Sequence, residues 1–170
     1  MTKKTLIAIA ATAVAAGAAQ AADWSDTAIS LRYGTKFREP YINNADGSGT
    51  DIKKSIIALT HASGYKYGTN FFNVDLLLSD SSNPSNVNST AGAHEVYIVY
   101  RNTIDFEKVS GRKFAFGPVR GMGMTLGFDA NTKTDAGYNS KKRMIVAGPT
   151  LMFDVPGFLN VSLLELWESN

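Results

Sequence analysis

The sequence predicts an all-β fold, specifically a transmembrane antiparallel β-barrel, on three observations. Apolar and polar residues alternate with period two in seven separate segments, an export signal precedes all seven, and the connections between them alternate in length. Neighbouring side chains of a strand point to opposite faces, so each segment carries one apolar wall and one polar wall. In lipid every backbone N–H and C=O must be satisfied within the protein, and among strand structures only a closed barrel achieves this.

In chain order, residues 1–21 read as a signal peptide. Lys3 and Lys4 precede the apolar run Leu6 to Ala16, and Ala19-Gln20-Ala21 offers a small-x-small cleavage site after Ala21. The run is well short of the ~20 residues a spanning helix needs. Without Lys3 and Lys4, the 17 basic residues become 15 against 15 acidic ones, so residues 22–170 are formally neutral. That balance gives no basic stripe for nucleic acid. Cysteine is absent, which excludes a disulfide framework.

The first segment sets Ile29, Leu31, Tyr33 and Phe37 against Ser30, Arg32, Gly34 and Lys36. The second, Lys53 to Ser63, alternates less cleanly. In the third, Phe72, Val74, Leu76 and Leu78 oppose Phe71, Asn73, Asp75, Leu77 and Ser79. In the fourth, Val96, Ile98, Tyr100, Ile104 and Phe106 oppose Glu95, Tyr97, Val99, Arg101, Thr103 and Asp105. The fifth sets Met122, Met124, Leu126 and Phe128 against Gly121, Gly123, Thr125, Gly127 and Asp129. Those glycines lie in a strand pattern with no following helix, so a nucleotide-binding loop is not indicated. The sixth runs from Arg143 to Phe153 and the seventh from Leu159 to Trp167. In the seventh, Glu165 falls on the apolar side beside Leu163, where a carboxylate facing lipid is costly.

Three connections are long and rich in turn formers: Glu39 to Ile52, Ser79 to Ala93, and Asn131 to Lys142. The intervening ones are Gly64 to Thr69, Glu107 to Gly117, and Asp154 to Gly157. Outer-membrane barrels have short periplasmic turns and longer outward loops, so this parity puts the start of the barrel domain, residues 22–170, in the periplasm. Aromatic residues such as Trp24, Tyr33, Tyr65, Phe128 and Trp167 cluster toward segment ends, as interfacial girdles do.

Several ordered segments resemble the Tsx-type nucleoside-specific channel family of the outer membrane. They are Asp23-Trp24-Ser25-Asp26-Thr27, the run from Tyr33 to Pro40, the run from His61 to Phe72, and Phe116-Gly117-Pro118. Asp135 to Ser140 and Gly148 to Asp154 continue the likeness, which spans nearly all of residues 22–170. The resemblance implies a monomeric barrel of about twelve strands, within the even-numbered range of such barrels. Its narrow lumen would pass nucleosides passively. Outer-membrane lipid and the barrel-assembly machinery would be its other partners. With seven segments counted, the chain is expected to be an incomplete, C-terminally truncated barrel.

A nucleoside offers a flat base for stacking and hydroxyls for hydrogen bonds, so its passage needs aromatic faces and scattered polar groups. The polar walls supply Arg32, Lys36, Asn73, Asp75, Glu95, Tyr97, Arg101 and Asp105 as nucleoside-binding or pore-lining candidates. Phe37 matches a motif position whose resemblance implies a substrate-lining phenylalanine. Alternation instead sets Phe37 on the apolar side with Ile29 and Leu31, and the two arguments disagree. Glu95 and Arg101 are expected to neutralise each other across the lumen. His61 and His94 lack ligand spacing, so no metal is expected, and no cofactor. No nucleophile, base and orienting group form a set, so no enzyme is expected. Two other readings stand beside the channel. One is a structural or phage-receptor outer-membrane protein of the same fold, and the other is a periplasmic ligand-binding barrel with its apolar face inward.

Overall fold

The computed structural model describes residues 22–169, so the predicted signal peptide lies outside the described residues. The elements are β1 (Trp24–Phe37), β2 (Ile52–Tyr65), β3 (Gly68–Ser79), β4 (His94–Asp105), the one-turn helix α1 (Phe106–Ser110), β5 (Val119–Lys133), β6 (Arg143–Phe153), β7 (Asn160–Ser162) and β8 (Glu165–Ser169). They form one antiparallel sheet in chain order, with β7 and β8 both pairing with β6.

The seventh expected segment is therefore present as two strands. Ser162 lies opposite Thr150 and Glu165 opposite Ala147, so Leu163-Leu164 face Gly148-Pro149 with no residue gained or lost. Proline has no N–H to donate, which removes a rung of the ladder at this point. The Pro149 carbonyl still accepts the Leu163 N–H at 3.0 Å. Glycine at 148 is required, because a Cβ there would sit 1.8 Å from the Leu163 carbonyl oxygen.

The sheet is open among the described residues, as expected of an incomplete set of strands: β1 forms one edge and β7 with β8 the other. The chain reverses at every step from β1 to β7, so both edges run in the same direction. They could meet only as a parallel pair. An all-antiparallel closure therefore needs an odd number of additional strands.

The two faces of the sheet follow the predicted alternation, with an inverted burial. On one face Ile29 is 75% exposed, Leu31 78% and Leu163 78%. On the other, Lys54 is 3% exposed, Asp129 7% and Thr150 1%. Ile56, Met144, Val146 and Met152 share this second face, and with Ile52 and Ala93 they make a small apolar core. Glu165, opposite Ala147, stands exposed on the apolar face, as its register predicts.

Segments 38–51, 80–93 and 134–142 lie at one end of the sheet, the loop end. There the Ala136 N–H donates to the Pro84 carbonyl at 2.9 Å. Gly137 is packed so tightly against Ile42 and the Pro40 carbonyl that a Cβ would lie 3.1 and 3.2 Å from them. The opposite, hairpin end holds the two-residue turn Lys66-Tyr67, the segment 106–118 and the segment 154–159. Helix α1 was not expected, and Phe106 opens it instead of closing β4. The Asp105 carboxylate accepts the backbone N–H groups of Glu107 and Lys108, and Gly111 at φ 71° ends the turn.

Candidate functional site

The polar face carries several separate groups of hydrogen-bonded side chains. Arg32 on β1 meets Asp75 on β3 at 2.7 Å, although Asp75 lies opposite Ala58 and Tyr97 in register, so this contact is diagonal across β2. Thr60 donates to the Asn73 side chain at 2.6 Å. Arg101 donates to Asp129 at 2.5 Å and to the carbonyls of Tyr100 at 2.8 Å and Phe128 at 3.1 Å. The Tyr97 hydroxyl reaches the other oxygen of Asp129 at 3.3 Å. Toward the hairpin end, hydroxyls run across four strands: Thr103 to Thr125 at 2.8 Å, Thr125 to Thr150 at 2.5 Å, and Thr150 to Ser162 at 2.8 Å.

These contacts correct one expected pair. Glu95 and Arg101 are six residues apart on β4, which at ~3.4 Å per residue separates them by about 20 Å. Each is satisfied across to β5 instead. The Asn131 amide donates to Glu95 at 2.7 Å, and Asp129 takes Arg101. Asp105, also expected on the wall, spends its carboxylate on capping α1. Lys36 is exposed near the end of β1.

Phe37 lies on the polar face, and a β-bulge puts it there. Gly34 pairs with Lys54 and Phe37 with Ile52, so Thr35 and Lys36 stand against Lys53 alone. One extra residue flips every later side chain to the other face. The Phe37 ring consequently covers Gly34, where a Cβ would meet the ring at 2.7 Å. The Lys54 ammonium sits 5.6 Å from the ring centroid, within cation–π range. The bulge, a feature that alternation does not encode, is what sets Phe37 on the polar face.

Beside Phe37 the loops are fastened by a charged latch that the sequence reading did not single out. Glu39, just beyond β1, pairs through one carboxylate oxygen with Lys54 on β2 and through the other with Lys133 on β5 at 2.5 Å. Lys133 also meets Asp135 at 2.6 Å, and Asp135 accepts the N–H groups of Gly137 and Tyr138 at 2.7 and 3.0 Å. One carboxylate thus joins lysines on β2 and β5, with β3 and β4 between them, across the polar face. Burial pushes the Glu39 carboxyl up, but hydrogen bonds from Lys133 and Lys54 outweigh it and hold the group below its ordinary range. Asp135 behaves likewise, with burial overcome by Lys133 and by the N–H groups of Tyr138 and Gly137. Arg38 secures the same loop by bonding the Gly49 carbonyl and pairing with Asp51 at 2.7 Å.

The structure also offers an aromatic residue that was not among the candidates. Phe71, opposite Ala62 and Arg101, lies on the polar face yet is 40% exposed. Its place in the polar register of the third segment was legible. No protein-family model matches the chain, and neither a curated protein nor a solved structure matches it.

Proposed function

We propose that the chain forms the wall of an outer-membrane channel for passive uptake of nucleosides, with closure supplied by an odd number of further antiparallel strands. The observation that carries this reading is the inverted burial. Charged and hydroxyl side chains are covered while large aliphatic ones cover the outside, the reverse of a water-soluble protein and the pattern expected when lipid lies outside and water inside. The same inversion weighs against a soluble barrel with its apolar face inward.

In this reading the hydroxyl chain and the paired charges give a hydrated wall whose charges are already neutralised, suited to an uncharged, hydroxyl-rich solute. Phe71 supplies an exposed ring on that wall, and base stacking on an aromatic is worth roughly 1–3 kcal/mol. That is strong enough to select and weak enough to release. Heat-modifiable migration in the outer-membrane fraction tests the membrane assignment. Liposome swelling with adenosine and with a sugar of similar size then tests selectivity. Faster adenosine entry, reduced about tenfold by Phe71→Ala while the sugar rate holds, is expected. Equal rates for the two solutes would remove the nucleoside claim.

A further inference from the structure

We propose that the hairpin end is a docking surface for anionic phospholipid headgroups, an inference that rests on reading the apolar face as lipid-facing. Four cations gather there: Lys66 in the β2–β3 turn, Lys108 on α1, and Arg112 and Lys113 just after it, all exposed. None of the four has an ion-pair partner among the described residues. At the loop end, by contrast, Arg38, Lys54, Lys133 and Lys142 each hold a carboxylate, and Lys36 and Lys53 stand exposed with no ion-pair partner among the described residues.

Turn and helix are held together as one surface. The Asp105 N–H donates to the Tyr67 carbonyl at 2.9 Å, and the Lys108 ammonium to the Tyr65 carbonyl at 3.4 Å. Acids also stand at this end, but none pairs with the four cations among the described residues: Asp105 is buried and committed to the helix cap, Glu107 is half-buried, Asp154 lies on the adjoining turn, and Asp23 and Asp26 lie at the start of β1.

Apolar groups stand among the cations. Tyr67, Phe106, Val109 and Phe116 are exposed, and Phe106 follows two residues after Ile104, which lies on the apolar face. That face gives way to polar side chains close to this end, where Asn70 accepts from the Tyr100 hydroxyl and from the Asn102 amide, both at 2.8 Å. Exposed aromatic residues and unpaired cations at the margin of an apolar belt suit the headgroup layer, where long cationic side chains reach phosphate while their stems stay on apolar surface. Anionic headgroups favour each such cation by a factor of about five.

The test counts phospholipids retained by the full chain in detergent micelles, using native mass spectrometry with phosphatidylglycerol or phosphatidylcholine as the probe. Phosphatidylglycerol is expected to be retained at least tenfold better. The variant combining Lys66→Gln, Lys108→Gln, Arg112→Gln and Lys113→Gln is expected to lose that preference, while Lys36→Gln with Lys53→Gln at the other end keeps it. Equal retention of the two lipids, or a preference that survives the fourfold variant, overturns the inference and leaves the channel reading intact. If fractionation finds the chain soluble, the channel reading fails separately. Flotation with vesicles of equal parts phosphatidylcholine and phosphatidylglycerol then decides: flotation lost in the fourfold variant sustains the docking surface, and no flotation ends it.

Discussion

The two ends of the sheet use the same kinds of charged residue to opposite effect. At the loop end, Lys54 and Lys133 are buried against Glu39 and Asp135, and the three long segments pack on one another. At the hairpin end, Lys66, Lys108, Arg112 and Lys113 stand exposed around one short helix. Length does not make the difference, since 106–118 is nearly as long as 38–51. Glu39, just beyond β1, brings a carboxylate to lysines on two strands, whereas 106–118 opens as helix α1, with the Asp105 carboxylate spent on its cap. The loop end is thus fixed by interactions remote in sequence, and the hairpin end by its own backbone.

The sharpest way to break this contrast is Glu39→Gln. It leaves the buried Lys54 ammonium without a carboxylate and Lys133 with Asp135 alone, and loss of one member of a buried ion pair costs about 3–5 kcal/mol. Limited proteolysis is expected to cut within 38–51 far faster than in the parent, with the 106–118 segment unchanged. Equal cleavage in both proteins would mean that packing around Ile42 and Gly137, and not the latch, holds the loop.

The corresponding change at the hairpin end is Asp105→Ala, which removes the acceptor for two backbone N–H groups. Losing an N-cap costs about 1 kcal/mol. Hydrogen exchange should quicken at Glu107 and Lys108 and stay the same across the loop end. An effect as large as that of Glu39→Gln would show that the hairpin end, too, is held from a distance.

The same contrast explains what could be read in the sequence. Strand positions were legible because alternation is a local property, and β6 was read with its observed bounds, Arg143–Phe153. β1, β3 and β5 begin or end beyond their readings because Trp24 to Ala28, Gly68 to Asn70 and Ala130 to Lys133 lack a strong apolar rhythm. Helix α1 escaped because Phe106 continues the apolar register of β4, although Asp105 as cap and Gly111 as stop were both available. The bulge before Phe37 carries no such signal: it is fixed by pairing with β2, which alternation within β1 cannot sense. Glu39, Lys54, Lys133 and Asp135 are scattered over nearly a hundred residues, and only the folded sheet with its loops unites them. Lys54 alone gave a hint, since it shares the register of Ile56 and Ala58.

The smallest expected effect is that of mild acid, and the response to stronger acid separates the two ends. Glu39 and Asp135 have carboxyls held below their ordinary range in the folded chain, so their contribution is fully present above the unfolded value and is lost as pH falls through the lowered folded one. Mild acid near pH 5 should therefore leave loop 38–51 protected from protease. Protection should fall only below the ordinary carboxylate range, about pH 4. The docking surface is built from lysine and arginine side chains and not from carboxylates, so retention of phosphatidylglycerol should persist in acid after the latch has opened, for as long as the lipid phosphate keeps its charge. If loop cleavage and lipid release instead followed one common titration, the two ends would be coupled through the sheet, and the independence inferred from their contacts would be wrong.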